Sequence, residues 1–180
     1  MVQVMNRESN NVIAETLGKV LGAEIVSRPG TRGKGIKAMT DLMVRTAGMR
    51  PGSFTLADAS GLSAGNRFSA NQITGLLNTL RGNPAIRDAF MESLAEQGHH
   101  PHAMNPVPPA GIKVLVKTGT LSVQGVNTVA GYILVRKTGL LLSFAILANR
   151  DKPGPMTYSG TLTNPLLKVL IETVDAALTK

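Results

Sequence analysis

The 180-residue chain contains no cysteine and no tryptophan, and only two tyrosines and four phenylalanines. Without cysteine there are no disulfides and no thiolate chemistry, although compartment stays open. Scarce aromatics leave core packing to aliphatic side chains and eight methionines. They also remove the stacking platforms on which single-stranded nucleic acid is held. Nothing reaches the roughly 18 uninterrupted apolar residues of a membrane span. The longest greasy run, Leu140 to Ala148, has the length of a buried strand. Acidic residues are outnumbered 11 to 19, for a formal charge of +8. The basic residues are scattered (Arg28, Arg32, Lys34, Lys37, Arg45, Arg50), so no specific nucleic-acid partner is expected. The first residues lack the basic start and apolar stretch of a signal peptide, so an exported protein would carry its signal upstream.

What is present reads as helices followed by strands. Val12, Ile13, Leu17, Val20 and Leu21 recur at helical spacing, with Gly22 as the expected stop. A short strand from Glu24 to Ser27 precedes a Pro29-Gly30 turn in this reading. A second helical face (Ile36, Met39, Leu42, Met43) ends at Gly48. Ser69 and Gln72 predict a capping box for a helix that Gly82 ends. Asn83-Pro84 starts another helix, stopped by Gly98. After a loop rich in His and Pro, three strands are expected over Ile112–Leu121, Val126–Val135 and Leu140–Asn149, the last two as an antiparallel hairpin. The third is apolar on both faces, as if covered above and below. A final helix from Asn164-Pro165 buries Leu167, Leu170, Ile171, Val174 and Leu178. The layout is α+β, in one domain with no internal repeat.

Two short motifs carry chemistry. Lys117-Thr118-Gly119-Thr120 places a cation, two hydroxyls and a bare backbone at a strand end, where a carboxylate can be gripped and a peptide laid alongside. Ser9-Asn10-Asn11 opens a helix. Each also has a plain reading: Ser or Asn caps free N–H groups, and an edge lysine deters strand pairing. Together with a Ser-x-x-Lys nucleophile, such a pair marks the serine β-lactamases and penicillin-binding proteins. No Ser-x-x-Lys occurs in this chain. Thr31-Arg32-Gly33-Lys34 has a related spacing but is expected in a turn. Ser60 and Ser63 are read as loop architecture. His99, His100 and His102 cluster in one loop, but Pro101 intervenes and no carboxylate adjoins them. They are read as a solvated tip, with no metal and no cofactor expected.

The segment Arg7-Glu8-Ser9-Asn10-Asn11 through Leu17 resembles the Ser-x-Asn region of class C penicillin-binding proteins, which are D-alanyl-D-alanine carboxypeptidases and endopeptidases. Asp58-Ala59-Ser60-Gly61-Leu62-Ser63, with Asn66 and Arg67, resembles a further stretch of that family. So do Lys117 to Leu121, Val126-Asn127 and Ala130-Gly131-Tyr132, in the family's order. The resemblance implies part of a serine β-lactamase/DD-peptidase (transpeptidase-like) fold. Residues 1–180 would be its C-terminal part, lacking the nucleophile-bearing N-terminal part and inactive alone. It implies Ser9, Asn11 and Lys117 as catalytic groups, with Thr118, Gly119 and Thr120 as substrate-binding ones. The implied ligands are peptidoglycan stem peptides ending in D-Ala-D-Ala and β-lactam antibiotics, and the implied location is periplasmic or otherwise extracytoplasmic. An unpaired strand edge predicts self-association or docking of the missing part. The alternative is a non-catalytic module that binds wall peptides or scaffolds a partner.

Overall fold

The computed structural model describes residues 1–150 and 163–178. Helices α1 (Val2–Arg7), α2 (Asn11–Ile25), α3 (Arg32–Ala47), α4 (Ala70–Gly82) and α5 (Arg87–Ser93) come first. Strand β1 (Ala95–Glu96) and a 3-10 turn at Pro101–Ala103 lead to β2 (Ile112–Leu121), β3 (Val126–Val135) and β4 (Leu140–Asn149), and α6 (Thr163–Leu178) follows. The strands form one four-stranded antiparallel sheet in the order β1-β2-β3-β4.

The three long strands have the expected bounds, because their period of two sorts side chains cleanly between two faces. Val114, Val116, Val129, Ile133 and Phe144 pack on one face with Leu167, Ile171 and Val174 of α6. Leu115, Tyr132 and Leu141 pack on the other with Leu77 of α4 and Phe90 of α5. Tyr132 is fully buried, and its hydroxyl donates to the Leu77 carbonyl over 2.7 Å. Burial pushes its phenol up to about 12. Gly131 is obligatory here: a Cβ would run into the Leu115 carbonyl of the neighbouring strand. The α+β class is as expected. Strand β4 has helices over both faces, α6 on one and α4 on the other, so neither is left bare. It remains half-buried because its outer edge pairs with no strand among the described residues.

Several local expectations need correcting. Gly22 does not stop α2, and there is no strand at 24–27, because the helix runs on to Ile25. Gly22 is instead a contact residue, since a Cβ there would sit 2.5 Å from the Gly35 nitrogen of α3. Thr31 is not in a turn but is the N-cap of α3, its hydroxyl accepting from the Lys34 N–H at 3.3 Å. Helix α5 begins only at Arg87 and ends at Ser93, well before Gly98, because Ala95 and Glu96 pair with β2. Gly48 does close α3 in the left-handed conformation, and the Ser69–Gln72 capping box is formed on both sides. Leu178, expected in the α6 core, has a side chain outside the described residues.

Candidate functional site

Ser9 lies in the tight link between α1 and α2, with φ of 53°, a left-handed conformation uncommon for serine. Asn10, not Ser9, caps α2: its side chain accepts from the Ile13 N–H at 3.0 Å. The Ser9 hydroxyl is thereby released from capping and turned toward the sheet. There it accepts from Lys117 Nζ at 2.8 Å. Lys117 also donates to the Thr118 carbonyl at 2.7 Å. Among the described residues no carboxylate lies within 4.0 Å of this ammonium, and burial lowers its pKa from the ordinary lysine value. A lysine so placed is better suited to exchange a proton with a hydroxyl than a surface lysine is.

Beside this pair runs a groove of about 670 Å³. Ser9, Thr118, Gly119 and Thr120 line it, facing residues from the loop after β1 and the start of α6. Lys117 reaches it through Ser9. Asn11 stands at the first position of α2 and is not among the lining residues. At Gly119 a Cβ would come within 2.7 Å of Thr128 Oγ1, so the strand is smooth there for packing as well as for access.

A buried relay supports the strand end, and sequence reading did not reveal it. Asn127 and Thr163 are 2% and 3% exposed. Thr163 Oγ1 donates to Asn127 Oδ1 at 2.7 Å, and Asn127 Nδ2 donates to Thr120 Oγ1 at 3.2 Å. The cross-strand register Thr120↔Asn127 makes this possible, and Thr163 enters only because α6 folds back over the sheet.

The Asp58–Arg67 stretch lies apart from the groove lining and is held by two carboxylates. Asp58 accepts from the Gly61 and Ser63 N–H groups and from Asn66 Nδ2, at 2.9, 2.6 and 2.8 Å. Burial pushes its carboxyl up, but the bonds from Asn66, Gly61, Ser63 and Ser60 outweigh this and leave it below the usual range. Glu15 of α2 accepts from the Ala59 and Ser60 N–H groups, each at 3.0 Å. Ser60 and Ser63 are loop architecture, as expected, with their hydroxyls on Asp58 and the Gly65 N–H.

Neither hydroxyl–lysine spacing in the chain forms a nucleophile. Lys34 Nζ is taken up by the carbonyls of Ser27 and Pro29. Thr16 and Lys19, at the same spacing within α2, face solvent, and the Thr16 hydroxyl donates to the Val12 carbonyl. The histidines have a carboxylate after all, brought from far along the chain: Glu8 lies 3.5 Å from His100 Nε2 and 3.9 Å from His102 Nε2.

Known proteins share this fold. A crystal structure of penicillin binding protein 4 (dacB) from Haemophilus influenzae, complexed with a novel β-lactam, superposes with a TM-score of 0.73 at 24% identity, over 98% of this chain and 40% of that one. The similarity is one of fold. Carboxypeptidase Rv3627c of Mycobacterium tuberculosis is 28% identical over 182 residues, 91% of this chain and 36% of the relative. Carboxypeptidase DacB of Mycolicibacterium smegmatis is 31% identical over 159 residues, 84% and 33%. The chain thus spans about a third of the length of these relatives. The family model described as D-Ala-D-Ala carboxypeptidase 3 (S13) matches residues 1–163, from α1 through β4. This chain belongs to that family.

Proposed function

We propose that this chain supplies the accessory half of a serine acyl-transfer site in a D-alanyl-D-alanine carboxypeptidase/endopeptidase that acts on peptidoglycan stem peptides. The observation that carries the reading is the 2.8 Å contact between Lys117 Nζ and Ser9 Oγ, beside a groove edged by Thr118 to Thr120. The nucleophile comes from a Ser-x-x-Lys segment outside these 180 residues, because the sequence holds none. That serine attacks the carbonyl between two terminal D-alanines, expelling one D-alanine, and water then releases the acyl group.

In this scheme Ser9 relays the proton to the leaving amine, with Lys117 as the charged partner. The Thr118 hydroxyl and the Lys117 charge receive the terminal carboxylate, and Gly119 lets the peptide lie along β2. The Thr120 N–H forms half of an oxyanion hole, and the incoming serine's own N–H forms the other half. One such donor contributes about 2.7–4 kcal/mol in the transition state, so half a hole leaves this chain inactive alone. Asn11, at the first position of α2 and outside the groove lining, steadies the incoming lysine and meets the substrate backbone only once the upstream part completes the cleft. β-Lactams enter by the same route as the peptide. The protein works outside the cytoplasm, where such peptides are found; among the described residues no helix is long and apolar enough to cross a membrane.

The upstream part also covers the free edge of β4, and without it the isolated chain self-associates. Labelled penicillin tests the assignment. This chain alone should take no covalent label, and adding the upstream segment should restore labelling on that segment's serine. No labelling in the complemented assembly would favour a non-catalytic binding module.

A further inference from the structure

Three contacts fasten the end of α1 to the end of α5 and to the loop that follows β1. Asn6 Nδ2 donates to Ser93 Oγ at 2.7 Å, and Arg7 donates to the Glu92 carbonyl at 2.7 Å. The third is the Glu8 carboxylate, which faces His100 Nε2 at 3.5 Å with one oxygen and His102 Nε2 at 3.9 Å with the other. His100 is held in place, with its side chain 17% exposed. Its Nδ1 accepts from the His102 backbone N–H at 3.4 Å, which assigns its proton in the neutral ring to Nε2, the nitrogen facing Glu8. A protonated Nε2 is a donor to a carboxylate and not a metal ligand. No group of three such side chains among the described residues has metal-holding geometry.

Glu8 is the C-cap of α1 and immediately precedes Ser9. Ser9 holds a left-handed φ between two neighbours whose side chains are both engaged. On one side Asn10 is committed to capping α2, and on the other Glu8 is bracketed by imidazoles. His102 also lines the groove. We propose that His100, with His102, positions the Ser9 hydroxyl through Glu8, so that imidazole protonation adjusts the Ser9–Lys117 contact.

The surrounding charges leave this coupling specific. Glu96 of β1 faces His99 at 3.9 Å and Lys113 of β2 at 3.0 Å. Arg7 is directed to the Glu92 carbonyl, and Lys117 meets Ser9 from β2. Among the described residues, Glu8 is the only carboxylate within 4.0 Å of His100 or His102. Protonation turns the rings from neutral donors into cations beside that carboxylate. The effect is carried one residue along the backbone to Ser9.

The consequence for catalysis rests on the proton-relay reading of Ser9, but the clamp is read separately from acylation, in spectra of the chain complemented with its upstream segment. Amide spectra across roughly pH 5–8, where imidazoles change charge, should show the Ser9 resonance moving with the His100 ring. In Glu8→Gln the Ser9 transition should vanish while the ring still titrates. A Ser9 amide that does not move in the wild type, or that moves identically in Glu8→Gln, overturns the proposal. In the complemented assembly, the pH profile of penicillin acylation should carry a limb in the same range and lose it in Glu8→Gln. An assembly that never acylates refutes the relay role of Ser9, and the spectra still decide the clamp.

Discussion

Lys117 Nζ and Ser9 Oγ stand 2.8 Å apart although 108 residues separate them in the chain. No carboxylate neutralises the ammonium among the described residues, and burial lowers its pKa from 10.5. A lysine with a depressed folded pKa binds its proton more readily when unfolded. Its charge therefore disfavours the fold at neutral pH, and stability rises as pH climbs from the folded pKa toward 10.5. Lys117→Met removes that slope together with two hydrogen bonds. Urea unfolding at pH 7 should place the variant within about 1 kcal/mol of the wild type, with a flatter dependence as pH rises toward 10.5.

Thr163 reaches the strand end only through Asn127. Thr163→Val keeps the shape but leaves the buried Asn127 Oδ1 without its 2.7 Å donor. The expected loss is about 1–3 kcal/mol by denaturant titration. In a complemented assembly, β-lactam acylation should slow as well, because Thr120 loses its brace.

Asp58 holds a different part of the molecule. Asp58→Ala strands the Gly61 and Ser63 N–H groups, and should cost about 2–4 kcal/mol near pH 7. The carboxyl's folded pKa is depressed, so its stabilisation is complete above 3.8 and disappears as pH falls through the folded value. The gap between wild type and Asp58→Asn should narrow over that acidic window, as read by thermal melts at successive pH values.

Two glycines in helices should respond oppositely to alanine. At Gly22 the new methyl meets backbone atoms of Lys34 and Gly35, at 2.8 and 2.5 Å, which cannot step aside. Forcing α2 from α3 should cost about 1–3 kcal/mol despite the gain in helix propensity. At Gly75 in α4 the added Cβ meets nothing within 4 Å. Gly75→Ala should stabilise by about 0.5–1 kcal/mol. Paired thermal melts check both signs.

The parts of this fold legible in sequence are those whose information is local. The long strands follow from the alternating Ile112, Val114 and Val116 of β2 and the continuous apolar run of β4, and the Ser69–Gln72 box from a four-residue pattern. Gly22 misled because a glycine that ends a helix and one that admits a neighbouring helix look alike in one dimension. Strand β1 was missed because two residues, Ala95 and Glu96, carry no period and pair only once β2 is in place. At the site, Lys117 to Thr120 and Ser9 announced themselves by residue type and position. The Asn127–Thr163 link and the meeting of Glu8 with His100 depend on tertiary folding, and nothing in their local sequence signals them.

The most direct test of the account is the rate at which the assembly, complemented with its upstream segment, acylates with labelled penicillin when Ser9 is replaced by alanine. A proton relay contributes roughly 10²–10⁴-fold. Ser9→Ala, with its fold intact by circular dichroism, should therefore slow acylation by at least about 100-fold. A variant that acylates within about threefold of the wild type would contradict the assignment of Ser9 and Lys117 as the working half of this site.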